Sequence, residues 1–300
     1  MDVQLEASPS QDEPIMEYLS VEVCAENLDE SELRIRIGNH VKYIVIDPGL
    51  IDPYIICFAP DFIPLIRPLL PTGDWTSALV FGNPESLTIE PLHRPLDGVR
   101  SQWHTNTVEV LDLTILSRMS DRLNEVKFGL PDQPVVAVSK FSCFEWEIYR
   151  VEQETEVYRA LAGHGIGPAF LGHLAENGRI MGFLIEKIKG GRRADIGDLE
   201  ACQKAVRRLH ALGIVHGDLN RHNFIISLTG EVTLIDFENS WLEGTHEEMD
   251  FEYDNLSAQL QEDEGRGERR FKFADEGEEE DSYSRTELVG LAKEPHRECI

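Results

Sequence analysis

The densest chemistry in the chain lies in two neighbouring runs, IVHGDLNRHNFIIS (214–227) and EVTLIDFENS (231–240). His216, Asp218 and Asn223 form the pattern H-x-D-x-x-x-x-N, and Asp236 follows thirteen residues after Asn223. Phosphoryl transfer needs one carboxylate to position an attacking hydroxyl, a second to hold a divalent cation against the phosphates, and an amide oxygen to complete the metal shell. These residue types occur here in that order. A lone His-Gly-Asp or a lone Asp-Phe reads as an ordinary turn; the two together, flanked by apolar runs and preceded by the helix end LHALG (209–213), form a constellation suited to this chemistry.

Regular elements must hold that constellation. DLEACQKAVRRLHALG (198–213) reads as a helix closing on Gly213, with Leu199, Ala205, Leu209 and Leu212 toward a core. Three strand-like runs lie upstream, TVEVLDLTIL (107–116), NEVKFGL (124–130) and PVVAVSKF (134–141). A helix follows in IYRVEQETEVYRALAGHG (148–165), where Val151, Tyr158 and Leu161 recur at helical spacing. PAFLGHL and IMGFLIEKI, separated by AENGR, read as two further strands. Nearer the N-terminus, Leu33, Ile35 and Ile37 face Val41, Tyr43 and Val45 across the turn signal Gly38-Asn39, predicting a hairpin. Between 50 and 97, prolines at 53, 60, 64, 68 and 71 argue against any long helix or central strand.

The two runs resemble the protein-kinase-like superfamily, and most closely its small atypical members: aminoglycoside phosphotransferases, lipopolysaccharide kinases and RIO kinases. The resemblance spans roughly 105–260 and implies an α+β, two-lobed fold with a reduced C-lobe, preceded by an accessory, mostly β N-terminal segment. It implies ATP and magnesium as cofactors. Asp218 would be the catalytic base or hydroxyl orienter, with His216 bracing its loop, and Asn223 and Asp236 would ligate magnesium. Lys140, ending VVAVSK, resembles the strand lysine that meets the phosphates. Its glutamate partner is open among Glu152, Glu154 and Glu156; Glu154 is preferred because it lies one turn before Tyr158, on the apolar face, with Glu156 in reserve. Glu186 to Ile188, in FLIEKI, resemble the hinge that meets adenine with backbone groups.

Three departures are visible. The position of the glycine-rich phosphate loop reads LSRMSDRLNEV (116–126), without glycine; Glu238 stands where D-F-G has glycine; and no A-P-E follows Asp236. They keep a second reading open, a pseudokinase or scaffold that binds nucleotide or a partner without turnover. The acceptor hydroxyl, on a small molecule or a protein, is not encoded in any of these runs.

Composition sets the bounds. A formal net charge of -27, from 55 acidic and 28 basic residues, opposes direct nucleic-acid binding. A basic protein partner for the acidic C-terminal part is the interaction such charge permits. Five cysteines without paired spacing read as isolated thiols, and the acidic opening MDVQLEASPSQDEP and lack of a long apolar run predict neither leader nor membrane span. A cytoplasmic or nuclear protein is expected. The expected organisation is a disordered 1–15, an accessory segment 16–100, a kinase-like domain 105–260 and an acidic, largely disordered tail 262–300.

Overall fold

The computed structural model describes residues 15–120 and 122–261. Residues 1–14 and 262–300, which make up nearly all of the two stretches expected to be disordered, lie outside them. The chain divides between Pro95 and Leu96 into two compact units.

The first unit holds strands β1 (Met16–Glu22), β2 (Ser31–Ile37) and β3 (His40–Ile46), helices α1 (Pro53–Cys57) and α2 (Ala59–Ile66), then strands β4 (Ser77–Asn83) and β5 (Ser86–Leu92). One sheet runs β1-β2-β3-β4-β5. The β2–β3 hairpin turns through Gly38, whose φ of +60° suits a residue without Cβ. β3 and β4 pair in parallel, so the chain between them must cross from one end of the sheet to the other. That crossover is α1 and α2. The prolines shorten the helices without removing them: Pro53 opens α1 beneath the Asp52 cap, and Pro64 sits inside the eight-residue α2. Ile56, Phe62 and Ile66 from these helices are fully buried against Leu33, Ile35, Ile44, Ala78 and Val80 of the sheet.

The second unit begins with β6 (Thr107–Glu109), β7 (Thr114–Arg118), β8 (Leu123–Leu130) and β9 (Gln133–Phe141), followed by helix α3 (Ile148–Leu161). Strands β10 (Phe170–Glu176) and β11 (Arg179–Glu186) complete a six-stranded sheet in the order β6-β10-β11-β9-β8-β7. The run 107–116 is therefore not one strand. A short 3₁₀ turn at Val110–Asp112 divides it, and its halves lie on opposite edges of the sheet, β6 parallel to β10 and β7 antiparallel to β8. Alternation reports which face a side chain takes, not which neighbour the strand finds.

The remainder comprises β12 (Arg192–Arg193), α4 (Leu199–His210), β13 (Phe224–Ile226), β14 (Val232–Leu234) and α5 (His246–Gln261). β12, β13 and β14 form a small sheet. Ala205 and Leu209 of α4 are buried, whereas Leu199 and Leu212 at its two ends are only half-buried. The architecture is α+β, with several sheets and few helices. An aromatic cluster ties α3 to the sheet and to the Asp-Phe-Glu turn: the Tyr158 ring lies 5.2 Å from Phe183 and 5.4 Å, edge-on, from Phe237.

Candidate active site

Three elements converge on the Lys140 ammonium. Strand β9, between β8 and β11, projects Lys140 from its penultimate residue. Helix α3 presents Glu154 from the stripe that also buries Val151, Tyr158 and Leu161, and Glu154 is itself almost completely buried. The turn after β14 supplies Asp236 and Glu238. Lys140 Nζ lies 2.7 Å from Glu154 Oε2, 2.7 Å from Asp236 Oδ1 and 3.1 Å from Glu238 Oε2. Of the three glutamates left open on α3, Glu154 reaches the lysine; Glu152 instead accepts the backbone N–H groups of Arg100 and Ser101. Asp236 is not within a strand but two residues beyond β14, in a left-handed conformation with φ +64°. Such a backbone is strained for a residue bearing a Cβ, and it persists where surrounding contacts hold it.

Burial and charge divide the carboxylates. Burial opposes the Lys140 cation, but Glu154, Asp236 and Glu238 together raise its pKa well above that of an ordinary lysine. Burial also acts against ionisation of Asp236 and Glu238, yet Lys140 outweighs it in both, aided at Glu238 by Arg122, and each stays below the usual carboxylate range. At Glu154 burial wins over the Lys140 attraction, and its carboxyl is pushed up to about 7. The unfolded chain thus releases this proton at lower pH than the folded protein. The stability contributed by Glu154 is present at low pH and is lost as pH rises through about 7. The melting temperature of the wild type relative to Glu154→Gln should accordingly fall between pH 5 and pH 8; a gap that stays flat or widens contradicts this assignment.

The second half of the site is the loop between α4 and β13. His216 is completely buried. Its Nε2 faces the Ile235 carbonyl at 3.2 Å and its Nδ1 faces the Asp218 N–H at 3.3 Å. A carbonyl only accepts and an amide only donates, so these partners select the neutral tautomer protonated on Nε2. Burial lowers the His216 pKa in the same sense. His216 thereby links the loop to the residue before Asp236. Gly217 has φ +79°, and a Cβ there would collide with the Asn239 carbonyl, so glycine is required.

Asp218 is held from both sides. Asn220 Nδ2 donates to its Oδ1 at 2.9 Å, and Asn223 Nδ2 donates to its backbone carbonyl at 2.9 Å and to its Oδ2 at 3.3 Å. With the Asn223 amide nitrogen turned to Asp218, the amide oxygen is the atom left for a cation. Ile235 N–H donates to the Asn223 carbonyl at 3.0 Å, so backbone pairing sets Asn223 beside the residue preceding Asp236. Glu186 ends β11 with its side chain exposed and its N–H donated to the Ala169 carbonyl at 2.8 Å, and Ile188 follows half-buried. Neither takes part in the ion cluster.

Several site residues escaped the sequence reading. Glu252, from α5, accepts the His216 and Gly217 N–H groups at 3.2 and 2.7 Å and pairs with His210 Nε2 at 2.7 Å. It clamps the loop to α4 from 35 and 36 residues away, a separation that carries no local signal. Asn220 lay inside the motif, but only the fold shows that it grips Asp218. Arg122 and Arg150, paired with Glu238, were likewise unmarked. Glu252→Ala removes the acceptor of the His216 and Gly217 N–H groups and the partner of His210, and about 2–4 kcal/mol of stability should be lost on chemical denaturation. A loss under about 0.5 kcal/mol, the range of ordinary surface substitutions, would show that the clamp is dispensable.

A family match falls on the same region. Residues 185–271 match the lipopolysaccharide kinase (Kdo/WaaP) family. The stretch is kinase-like, as the two motifs indicated. It contains His216, Asp218, Asn223 and Asp236 and begins after Lys140 and Glu154, whose place beside Asp236 rests on the geometry. The chain is also 34% identical over 92 residues to a probable bifunctional tRNA threonylcarbamoyladenosine biosynthesis protein of Methanothermobacter thermautotrophicus, covering 29% of this chain. The chain spans 17% of that relative's length. Together the similarities support a kinase-like phosphotransferase. Among the described residues, no helix is long and apolar enough to cross a membrane.

Proposed function

We propose that this chain is an ATP- and magnesium-dependent phosphotransferase acting on a hydroxyl group of a small molecule or protein. On this reading the six-stranded sheet with α3 forms one lobe, and α4, α5 and the small sheet form a reduced second one. The observation that carries the proposal is the convergence of Glu154 and Asp236, each 2.7 Å from Lys140, with His216 linking the residue before Asp236 to an Asp218 held by two amides.

The donor set fits the cofactor. Asp236 is half-exposed, and it and the Asn223 amide offer hard oxygen ligands of the kind magnesium prefers. The hollow among Glu154, Asp236 and Glu238 is already filled by the Lys140 ammonium, which leaves Asn223 and the solvent side of Asp236 as the cation's holders. Bound magnesium ATP would supply the phosphoryl group and neutralise charge developing on it. The chain's own residues do the positioning. Lys140, fixed by Glu154, offers its ammonium to phosphate oxygens. Asp218, with its carboxylate fixed by Asn220 and Asn223, orients the acceptor hydroxyl and takes its proton. His216, neutral and buried, keeps Asp218 and Asp236 in register without exchanging protons.

One observation favours a nucleotide-binding protein without turnover: Lys140 already has three carboxylate partners. Incubation of the purified protein with magnesium and γ-labelled ATP, alone and with hydroxyl-bearing acceptors, separates the readings. Phosphate release or a labelled acceptor, lost in Asp218→Ala, is expected. Nucleotide binding with no turnover on any acceptor would favour the scaffold.

A further inference from the structure

Glu238 occupies an unusual position for a carboxylate near a phosphate site. Its Oε1 lies 3.0 Å from Arg122 Nη2 and 3.3 Å from Arg150 Nη1, while its Oε2 lies 3.1 Å from Lys140 Nζ and 3.3 Å from Arg122 Nη2. Three cations from three elements, the β7–β8 hairpin, α3 and β9, thus surround one anionic group. That is the donor geometry expected around a phosphate. The hairpin is also unable to act as a glycine-rich loop does. It has no glycine between Leu116 and Val126, and the N–H groups of Met119 and Ser120 are committed to the Leu123 carbonyl at 2.9 and 3.0 Å. Among the described residues of this hairpin, Arg122 reaches the ion cluster with its guanidinium.

We propose that Lys140, Arg122 and Arg150 form a polyphosphate cradle in which Glu238 serves as an internal stand-in, and that a nucleoside triphosphate binds by displacing the Glu238 carboxylate. The inference rests on the phosphotransferase reading and assigns its phosphate contacts. Glu238 is the carboxylate suited to leave. Glu154 is sealed in the core, whereas Asp236 is required for the cation. Glu238 is held by Arg122 and by the half-exposed Arg150, both long side chains ending in several N–H donors. A triphosphate entering without displacing it would compete with a second anion for the same three cations. Arg122 replaces with a side chain what a glycine-rich loop provides with backbone amides.

The test is equilibrium binding of tripolyphosphate, and of a non-hydrolysable ATP analogue with magnesium, to the full chain. Wild type, Glu238→Gln and Arg122→Gln are compared, with the melting temperature of each unliganded protein. Glu238→Gln should bind both probes at least about tenfold more tightly, a modest share of the interaction between full charges about 4 Å apart near a protein surface. Arg122→Gln should bind both about tenfold more weakly, although it also frees Glu238. Wild-type binding that is unchanged or weakened in Glu238→Gln makes Glu238 a staple of the turn and overturns the stand-in, leaving the phosphotransferase reading intact. Absence of binding to every variant removes both. Should Glu238→Gln not fold, Arg122→Gln decides: equal or tighter binding overturns the cradle.

Discussion

Asp236→Ala should bind ATP no better with magnesium than without it, and phosphoryl transfer should fall below detection. The carboxylate is half-exposed, yet its backbone is held in a left-handed conformation immediately before the buried Phe237, and Lys140 keeps it ionised. An aspartate so arranged presents a fixed anionic oxygen at the mouth of the site, which is what a hard divalent cation requires and what alanine cannot offer. Removing it also takes one of three counter-charges from Lys140. The fold should persist, because Glu154 and Glu238 still hold the ammonium. Calorimetric titration with ATP in magnesium and in chelator measures the effect. A magnesium-dependent gain in affinity that survives the substitution would place the cation elsewhere.

Asp218→Ala should separate binding from chemistry. Its carboxylate makes no ion pair with Lys140; its partners are the Asn220 and Asn223 amides. Magnesium-dependent nucleotide affinity should therefore change by no more than about twofold, while the transfer rate falls about 10²–10⁴-fold, the range associated with a positioned general base. Steady-state kinetics with titration of the same preparation would show both. Because Asn223 Nδ2 also donates to the Asp218 backbone carbonyl, and Glu252 still holds the His216 and Gly217 N–H groups, the loop stays anchored in the variant. Equal losses in affinity and rate would mean that Asp218 organises the site as a whole.

The parts of this site that could be read from residues are those encoded within one or two elements. His216, Asp218 and Asn223 share a single loop, so their spacing survives as a linear pattern. Glu154 could be preferred over Glu152 and Glu156 because helical geometry puts it above Tyr158, and its burial in that stripe follows from the same periodicity. Contacts set by strand order and long-range packing were not readable. The division of 107–116 between opposite sheet edges depends on which neighbours β6 and β7 find. Glu252 reaches the loop only because α5 packs on α4, and Arg122 meets Glu238 across 116 residues. Glu238 itself was noticed as a departure in a turn, but its role as the meeting point of three cations exists only in three dimensions. In the first unit, the parallel β3–β4 pair and the proline-bearing helices between them were hidden for a different reason: prolines mark where a helix must be short, not that it is absent.

On the proposed reading, Lys140, Asp218, Asn223 and Asp236 surround one metal-bound triphosphate. Crystals of the full chain grown with magnesium and a non-hydrolysable ATP analogue test it most directly. Magnesium should lie at about 2.1 Å from a carboxylate oxygen of Asp236 and the amide oxygen of Asn223, with Lys140 Nζ on a phosphate oxygen. A nucleotide bound away from these residues, or phosphates beside a Lys140 that still contacts carboxylates alone, would contradict it.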